Sequence, residues 1–379
     1  MIFVAETAEG GRVEYFDTKR HLWWLGFTVP LIPIAAVCLY FAFNGAVWAT
    51  LLPVLYSYLA IPLLDLAFGE DPANPPAEVV EKMADDGYYR TLLLLIVPCF
   101  WAMLVTCAWF VATQDLPWWA YGAMTLACGM ASGTALTVGH ELGHKPGRID
   151  RLFALLANAL SGYGHFCIEH NRGHHTWVAT PEDPASARFG ESVYAFACRE
   201  LPGTLRRGLM HERERLARKG HTFWSHRNEV LHGYGVTLAA WIVLTAWLGL
   251  AVLPFLVIQS AVGWLQLTQA NYVEHYGLKR ERRPNGRYAP VEPRHSWNTN
   301  HMVSNLTLFH LQRHSDHHAN PMRPYQSLRN FDELPRLPSG YPGCFALAAI
   351  PPLWFRVMNP KVMAWADGDL NRVNRGEAA

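Results

Sequence analysis

AYGAMTLACGMASGTALTVGHELGH, residues 120–144, is an apolar run of membrane-span length that ends without a break in His140 and His144. Residues four apart lie on one helix face, so the two imidazoles would leave the helix end together. One such pair at a helix end suits many metals. The pattern recurs, and that decides its reading. EHNRGHH carries His170, His174 and His175, LQRHSDHH carries His314, His317 and His318, and NYVEHYG carries a single His275. Nine imidazoles exceed what one ion can hold, and four or five for each of two metals is the simplest division.

Composition agrees with a membrane setting. Hydrophobic residues are 51% of 379, charged residues 17%, and there are 15 Trp. The mean hydropathy of +0.03 averages very apolar runs with very polar ones. Six runs are long enough to cross a hydrocarbon core of ~30 Å: 22–43, 47–68, 91–113, 120–138, 230–248 and 255–272. The stretch 152–163 is too short and interrupted for a span. It is open to a re-entrant, interfacial or cap-helix reading. Glu200–Arg218 reads as a charged surface helix, and 345–357, broken by Pro351 and Pro352, is not counted as a span. The expected fold is an all-α integral membrane protein: six transmembrane helices and a cytoplasmic cap, 139–229 and 273–379, in one catalytic domain spanning 1–379.

Charge placement orients it. The turns near Asn44, Asp115 and Gly249 hold no Lys or Arg, so all 32 fall on the other side. The positive-inside rule then makes both termini cytoplasmic, together with all nine patterned histidines. The first twenty residues are polar and lack a cleavable signal pattern, so the first span is expected to direct targeting. The end, DLNRVNRGEAA, reads as a linker start or a plain end. The seven cysteines show no CxxC spacing, which argues against a disulfide framework or thiolate metal site.

The remaining histidines read differently. His21, His211, His221, His226, His232 and His295 read as ordinary solvated or hydrogen-bonded side chains, and His165, His301 and His310 as flanking residues. Glu141, Glu169 and Glu274 adjoin patterned histidines and Asp316 lies inside a block; such carboxylates commonly accept a ligand imidazole's second N–H. His140–His144 is also literally HExxH, a zinc protease signature with Glu141 as base. That chemistry leaves seven patterned histidines unexplained. A transporter would carry polar residues at mid-span, and these runs hold almost none.

The strings HELGHK, EHNRGHH, NYVEHYGL and LQRHSDHHANP resemble those of the alkane 1-monooxygenase family, within the integral-membrane non-haem diiron desaturases and hydroxylases. The resemblance covers the core from the first span to Tyr325. It implies two irons held by His140, His144, His170, His174, His175, His275, His314, His317 and His318. It further implies insertion of one oxygen atom from O2 into the terminal C–H of a medium-chain alkane. Electrons would come from a rubredoxin, itself reduced by an NADH-dependent reductase, at the bacterial cytoplasmic membrane. A fatty acyl desaturase or an aryl-methyl hydroxylase is the related alternative. No side chain beyond the metal site is expected to act as catalytic acid or nucleophile.

Two further expectations follow from the substrate and donor. An alkane partitions into the bilayer, so the helices should form a channel, with Trp48, Tyr58, Trp101 and Leu136 as candidate lining. An acidic carrier should meet a basic surface. The cap offers Arg199, Arg206, Arg207, Arg213, Arg215, Arg218 and Lys279, with Arg280, Arg282 and Arg283 as the docking candidates; lipid headgroups are the competing partner.

Overall fold

The computed structural model describes residues 1–376. The last three residues of the DLNRVNRGEAA tail lie outside the described residues. The chain opens on an antiparallel hairpin, β1 (Ile2–Glu6) and β2 (Arg12–Phe16). The all-α expectation misses this element. Its basis is period-two alternation: Phe3 and Ala5 are buried while Ile2, Val4 and Glu6 face outward. Gly10, at φ 80°, makes the turn.

The long helices follow in order. α1 (Leu22–Ala42) and α2 (Val47–Phe68) form a pair. α2 is locally π-helical at Tyr56–Ala60, where the Ile61 N–H reaches back to the Tyr56 carbonyl. Pro62 explains this, because it brings no N–H to the preceding turn. α3 (Gly87–Thr113) starts at Asp86, whose side chain accepts from Tyr88 N–H. Next come α4 (Trp118–Gly143) and α5 (Arg148–Ala159). α6 (Phe166–Glu169) and a π-helical turn (His170–His174) lead to α7 (Val193–Arg218). α8 (Glu229–Leu248) and α9 (Leu253–His275) complete the long set. α10 (Met302–Thr307), α11 (His314–Ala319), α12 (Tyr341–Ala348) and α13 (Pro351–Trp365) close the cap.

Among the described residues, five segments are long and apolar enough to cross a membrane: Leu22–Ala42, Val47–Phe68, Gly87–Thr113, Glu229–Leu248 and Leu250–His275. The expected span at 120–138 forms α4 but lacks that hydropathy. Every residue from Ala127 to Leu142 is buried, so α4 is sheathed by protein. Small residues serve that packing. A Cβ on Gly129 would lie 2.5 Å from Val262, and one on Gly133 2.5 Å from Gln266, both on α9.

The stretch left open at 152–163 lies between the long helices. The Asp150 carboxylate accepts from Arg90 at the start of α3, at 2.7 Å. Further down, the Leu156 carbonyl accepts from Trp101. α5 therefore descends alongside α3. The non-helical turn beyond it has its carbonyls satisfied by side chains: Ala159 by Thr237 at 2.8 Å, Leu160 by Gln259 at 3.1 Å and Ser161 by Trp264 at 2.6 Å. Irregular backbone among apolar helices persists only when satisfied in this way. Gly164 backs onto Gly233 of α8, where an added Cβ would lie 2.8 Å from Tyr234 N. The chain then climbs through α6 to His170.

One cap reading is corrected. α7 begins at Val193 and buries Glu200, Glu212 and Arg215, so Glu200–Arg218 is not simply a surface helix. Its charges pair within the protein: Arg215 Nε donates to Glu212 at 2.6 Å, while Glu200 accepts from Thr268 and Asn271 of α9. The 345–357 run divides into α12 and α13, which pack Tyr341, Phe345, Trp354 and Met358 into a second core around Tyr272 and Tyr276.

Candidate metal centre

Four separate pieces of chain bring the nine histidines together. α4 ends in His140 and His144, the π turn carries His170, His174 and His175, α9 ends in His275, and α11 presents His314, His317 and His318. They form two groups whose candidate ligand atoms lie within 4.8 Å of one another. One is His140, His144, His170, His175 and His317; the other is His174, His275, His314 and His318. The groups adjoin, with the rings of His175 and His318 4.5 Å apart and those of His170 and His174 5.2 Å apart.

The grouping differs from the helical spacing in one respect. His170 and His174, four apart, fall in different groups. His170 joins His175, with Nε2 atoms 2.9 Å apart. The π turn is the cause, because i→i+5 bonding brings residues five apart into register. On α11 the ordinary four-residue spacing holds, with His314 and His318 Nε2 atoms 2.8 Å apart, while His317 reaches across to His175 at 3.1 Å.

The surroundings orient these rings. His174 Nδ1 lies 2.8 Å from Asp183 Oδ2, and Asp183 also accepts from Arg207 and from Ser186. Arg207 bridges to Glu169. Burial would raise Asp183, but His174 and Arg207 together hold its carboxyl well below the usual range. Burial would likewise depress His174, yet Asp183 raises it. The other cap imidazoles, His170, His175, His314, His317 and His318, are pushed well down by burial and by each other, so they are neutral and free to donate lone pairs. The backbone carbonyl of His295 faces His275 Nδ1 at 3.3 Å.

Of the four anticipated carboxylates, Glu274 alone touches a patterned imidazole: its Oε2 is 3.1 Å from His314 Nε2, while Oε1 accepts from Tyr341 at 2.6 Å. Glu141 is paired with Lys145 at 2.9 Å, Glu169 with Arg207, and Asp316 with Arg323 at 2.6 Å. Asp183, which does orient a ligand, was not anticipated. It sits in TPEDPAS, next to no histidine, and no spacing points to it. The flanking histidines stay outside the groups: His165 meets Tyr234, His310 the Tyr325 carbonyl and His301 Thr299.

A narrow apolar cavity of about 50 Å³ lies between α1, α2, α4 and α12, lined by Ile32, Tyr58, Ile61, Met130, Thr134 and Phe345 among others. A smaller one, about 10 Å³, is lined by Thr137, His140, Phe309, Leu311 and His317. Thr134, Thr137 and His140 rise along α4 from the first to the second. Of the channel candidates, Tyr58 lines the first cavity and bonds Gln266 at 3.4 Å. Trp48 is exposed, Trp101 holds Leu156, and Leu136 is buried beside Tyr163 and Phe166. Of the docking candidates, Arg280 is buried and bonds the Thr176 carbonyl, Arg282 pairs with Glu182, and Arg283 is exposed. Arg199, Arg207 and Arg215 are also engaged within the cap.

The donor set fits a metal. Nε2 of His170 and of His317 both approach Nε2 of His175, and Nε2 of His140, His144, His174 and His275 are buried without a hydrogen-bond partner. Unpaired polar atoms in a protein interior are costly, and a shared cation at each group satisfies them. Both groups consist of histidine nitrogens alone, and the described cysteines are all free thiols. The HExxH reading loses its base, because Glu141 is ion-paired and accepts from Tyr325 N–H.

Comparisons with known proteins agree with this picture. Residues 116–347 match the family described as fatty acid desaturase. The chain is 52% identical to an alkane 1-monooxygenase of Ectopseudomonas oleovorans over 95% of its length and 90% of the relative's. It is 51% identical to one from Pseudomonas putida, and 51% to alkane 1-monooxygenase 1 of Alcanivorax borkumensis; each match covers 95% of the chain and 89% of the relative. With five apolar spans and a clustered histidine site, the chain is an integral membrane protein that belongs to the alkane 1-monooxygenase family within the fatty acid desaturases.

Proposed function

We propose that this chain hydroxylates medium-chain n-alkanes at the terminal carbon to give 1-alkanols, using O2 and electrons from a rubredoxin, itself reduced by an NADH-dependent reductase. The observation that carries the reading is the gathering of nine histidines into groups of five and four where α4 and α9 end, in a chain about half identical to alkane 1-monooxygenases. Two irons are the metals the reading requires: His140, His144, His170, His175 and His317 would hold one, and His174, His275, His314 and His318 would hold the other. Bound there, iron supplies the activation of O2. Single-domain organisation over 1–379, six spans including α4, and both termini and the histidines on the cytoplasmic side of the bacterial inner membrane complete it. The Lys- and Arg-free turns at the opposite helix ends support that orientation.

The protein's own part is binding, orientation and exclusion of water. The apolar cavity beside Tyr58, Met130 and Ile61 takes the chain from the bilayer, and the α4 face through Thr134 and Thr137 guides its end toward His140 and His317. Phe309, Leu311 and Leu328 shield that end from solvent. Asp183, through His174, and Arg207, through Asp183, hold the imidazoles in place. Arg282 and Arg283, the exposed docking candidates, receive the acidic electron carrier. The test is elemental analysis of the purified protein together with conversion of octane by reduced rubredoxin. About two irons per chain and formation of 1-octanol are expected. Absence of iron-dependent oxidation after iron loading would overturn the proposal, and an alkene product would move it to the desaturase alternative.

A further inference from the structure

A second, larger cavity lies on the other side of α4, and nothing in the hydroxylation reading uses it. It measures about 590 Å³ and is bounded by α5, the end of α4, α6, the π turn and the start of α8. Lys145, Arg148, Arg151 and Arg172 line it, with apolar surface from Leu152, Leu155 and Ile168. Lys145 is paired with Glu141, and the one acid in the lining, Glu229, is paired with Arg215. Among the described residues no ion pair engages Arg148, Arg151 or Arg172, so the cavity carries uncompensated positive charge.

Its position and its other residues decide what that charge is for. α4 ends at Gly143, α8 begins at Glu229, and Arg90 at the start of α3 is bonded to Asp150, all at this level. The cavity thus sits where the long helices leave the apolar layer. On the outer face of α5, Arg148 and Arg151 alternate with Ile149 and Leu152, which are 55% and 53% exposed. A soluble acidic protein would leave those aliphatic side chains in water. An acyl chain covers them, while the arginines reach up to a phosphate.

We propose that this cavity is a binding site for the headgroup of an anionic phospholipid, with one acyl chain lying against Ile149 and Leu152. The test uses the full-length protein in bilayers of equimolar phosphatidylcholine and phosphatidylglycerol, extracted in mild detergent, with retained lipid identified by mass spectrometry. Wild type should retain phosphatidylglycerol selectively. Arg148→Gln with Arg151→Gln should retain it about 25-fold less, the product of about five-fold for each arginine near an anionic surface. Arg148→Lys with Arg151→Lys should keep most of it, and Arg206→Gln with Arg213→Gln, on the exposed side of α7, should leave phosphatidylglycerol retention unchanged. Iron content reports folding in every variant. Equal retention of both lipids by wild type, or undiminished phosphatidylglycerol in the glutamine variant, would overturn the proposal. So would displacement of the lipid by inorganic phosphate alone, which makes it a soluble-anion site. Lost rubredoxin-driven turnover with lipid retention intact would assign the cavity to the electron carrier instead.

Discussion

Asp183 decides how firmly His174 is aimed. Its Oδ2 holds His174 Nδ1 at 2.8 Å, and its other oxygen is held by Arg207, so the ring keeps one orientation with Nε2 toward the second group. Asp183→Asn keeps the shape but removes the charge that favours this arrangement, and an outer carboxylate of this kind is worth about 10–100-fold in metal affinity. Competition with a chelator should show that loss, while an affinity equal to wild type would show the carboxylate to be idle. A second residue-level case is Gly26. A Cβ there would sit 2.6 Å from Phe309, which, with His310, holds a positive φ just before LQRHSDHH. Two successive non-glycine residues in that region are strained and need support. Gly26→Ala should therefore lower thermal stability by about 1–3 kcal/mol through overpacking. It should also weaken metal retention at His314, His317 and His318; a change in stability with metal retention intact would show that the displacement stops short of α11. Eight of the nine gathered histidines were legible because three- and four-residue spacings repeat, whereas His275 stands alone and was named by the family resemblance. Their division was not, because a π turn inserted at His170–His174 leaves no mark in spacing, and Asp183 reaches its partner only through the turn after Trp177.

At the scale of the element, α5 and the turn after it carry a polar backbone down among apolar helices. The Leu160 and Ser161 carbonyls there accept from Gln259 and Trp264, and the Ala159 carbonyl from Thr237 and from Gly162 N–H. Trp264→Phe removes the donor to Ser161 O and leaves a buried carbonyl unsatisfied, a cost of about 1–3 kcal/mol. Thermal unfolding in detergent should report it; a midpoint unchanged from wild type would mean another donor substitutes. The sequence left this stretch open between re-entrant, interfacial and cap readings for a physical reason. A twelve-residue amphipathic helix has the same pattern whether its polar side meets water or the side chains of Thr237 and Gln259. α4 differs from the other long runs in composition. Its Gly, Ala, Ser and Thr content lowers hydropathy, yet those small residues let α9 approach closely. The long runs, by contrast, were readable to within a few residues, since lipid-facing helices must be apolar along their whole length.

For the molecule as a whole, the metal-free chain should be acid-sensitive. His170, His175, His314, His317 and His318 are held below their ordinary value of 6.5 by burial. Below that pH the unfolded chain binds protons that the folded chain refuses, so stability is full above it and falls as pH drops. His174, raised by Asp183, runs the other way and offsets one of the five. Thermal scans of chelated protein from about pH 8 to about pH 5 should show a falling midpoint; a flat profile would mean the imidazoles are not buried without metal. The mostly helical, membrane-spanning character was open to the sequence because hydropathy is a whole-chain property. The N-terminal hairpin was not, being too short for its alternation to stand out.

The division of the third histidine block between the two groups bears on how the protein is made. His317 completes one group, while His314 and His318 complete the other. A ribosome that has released the chain only as far as residue 313 has delivered every long apolar helix but has finished neither constellation. The five long apolar segments are therefore synthesised before either group is complete, and the last member of each group follows in adjacent residues, His317 and His318. A chain stalled or cut before His314 is left with no complete group, and one that ends at His317 completes the first group but lacks His318 of the second.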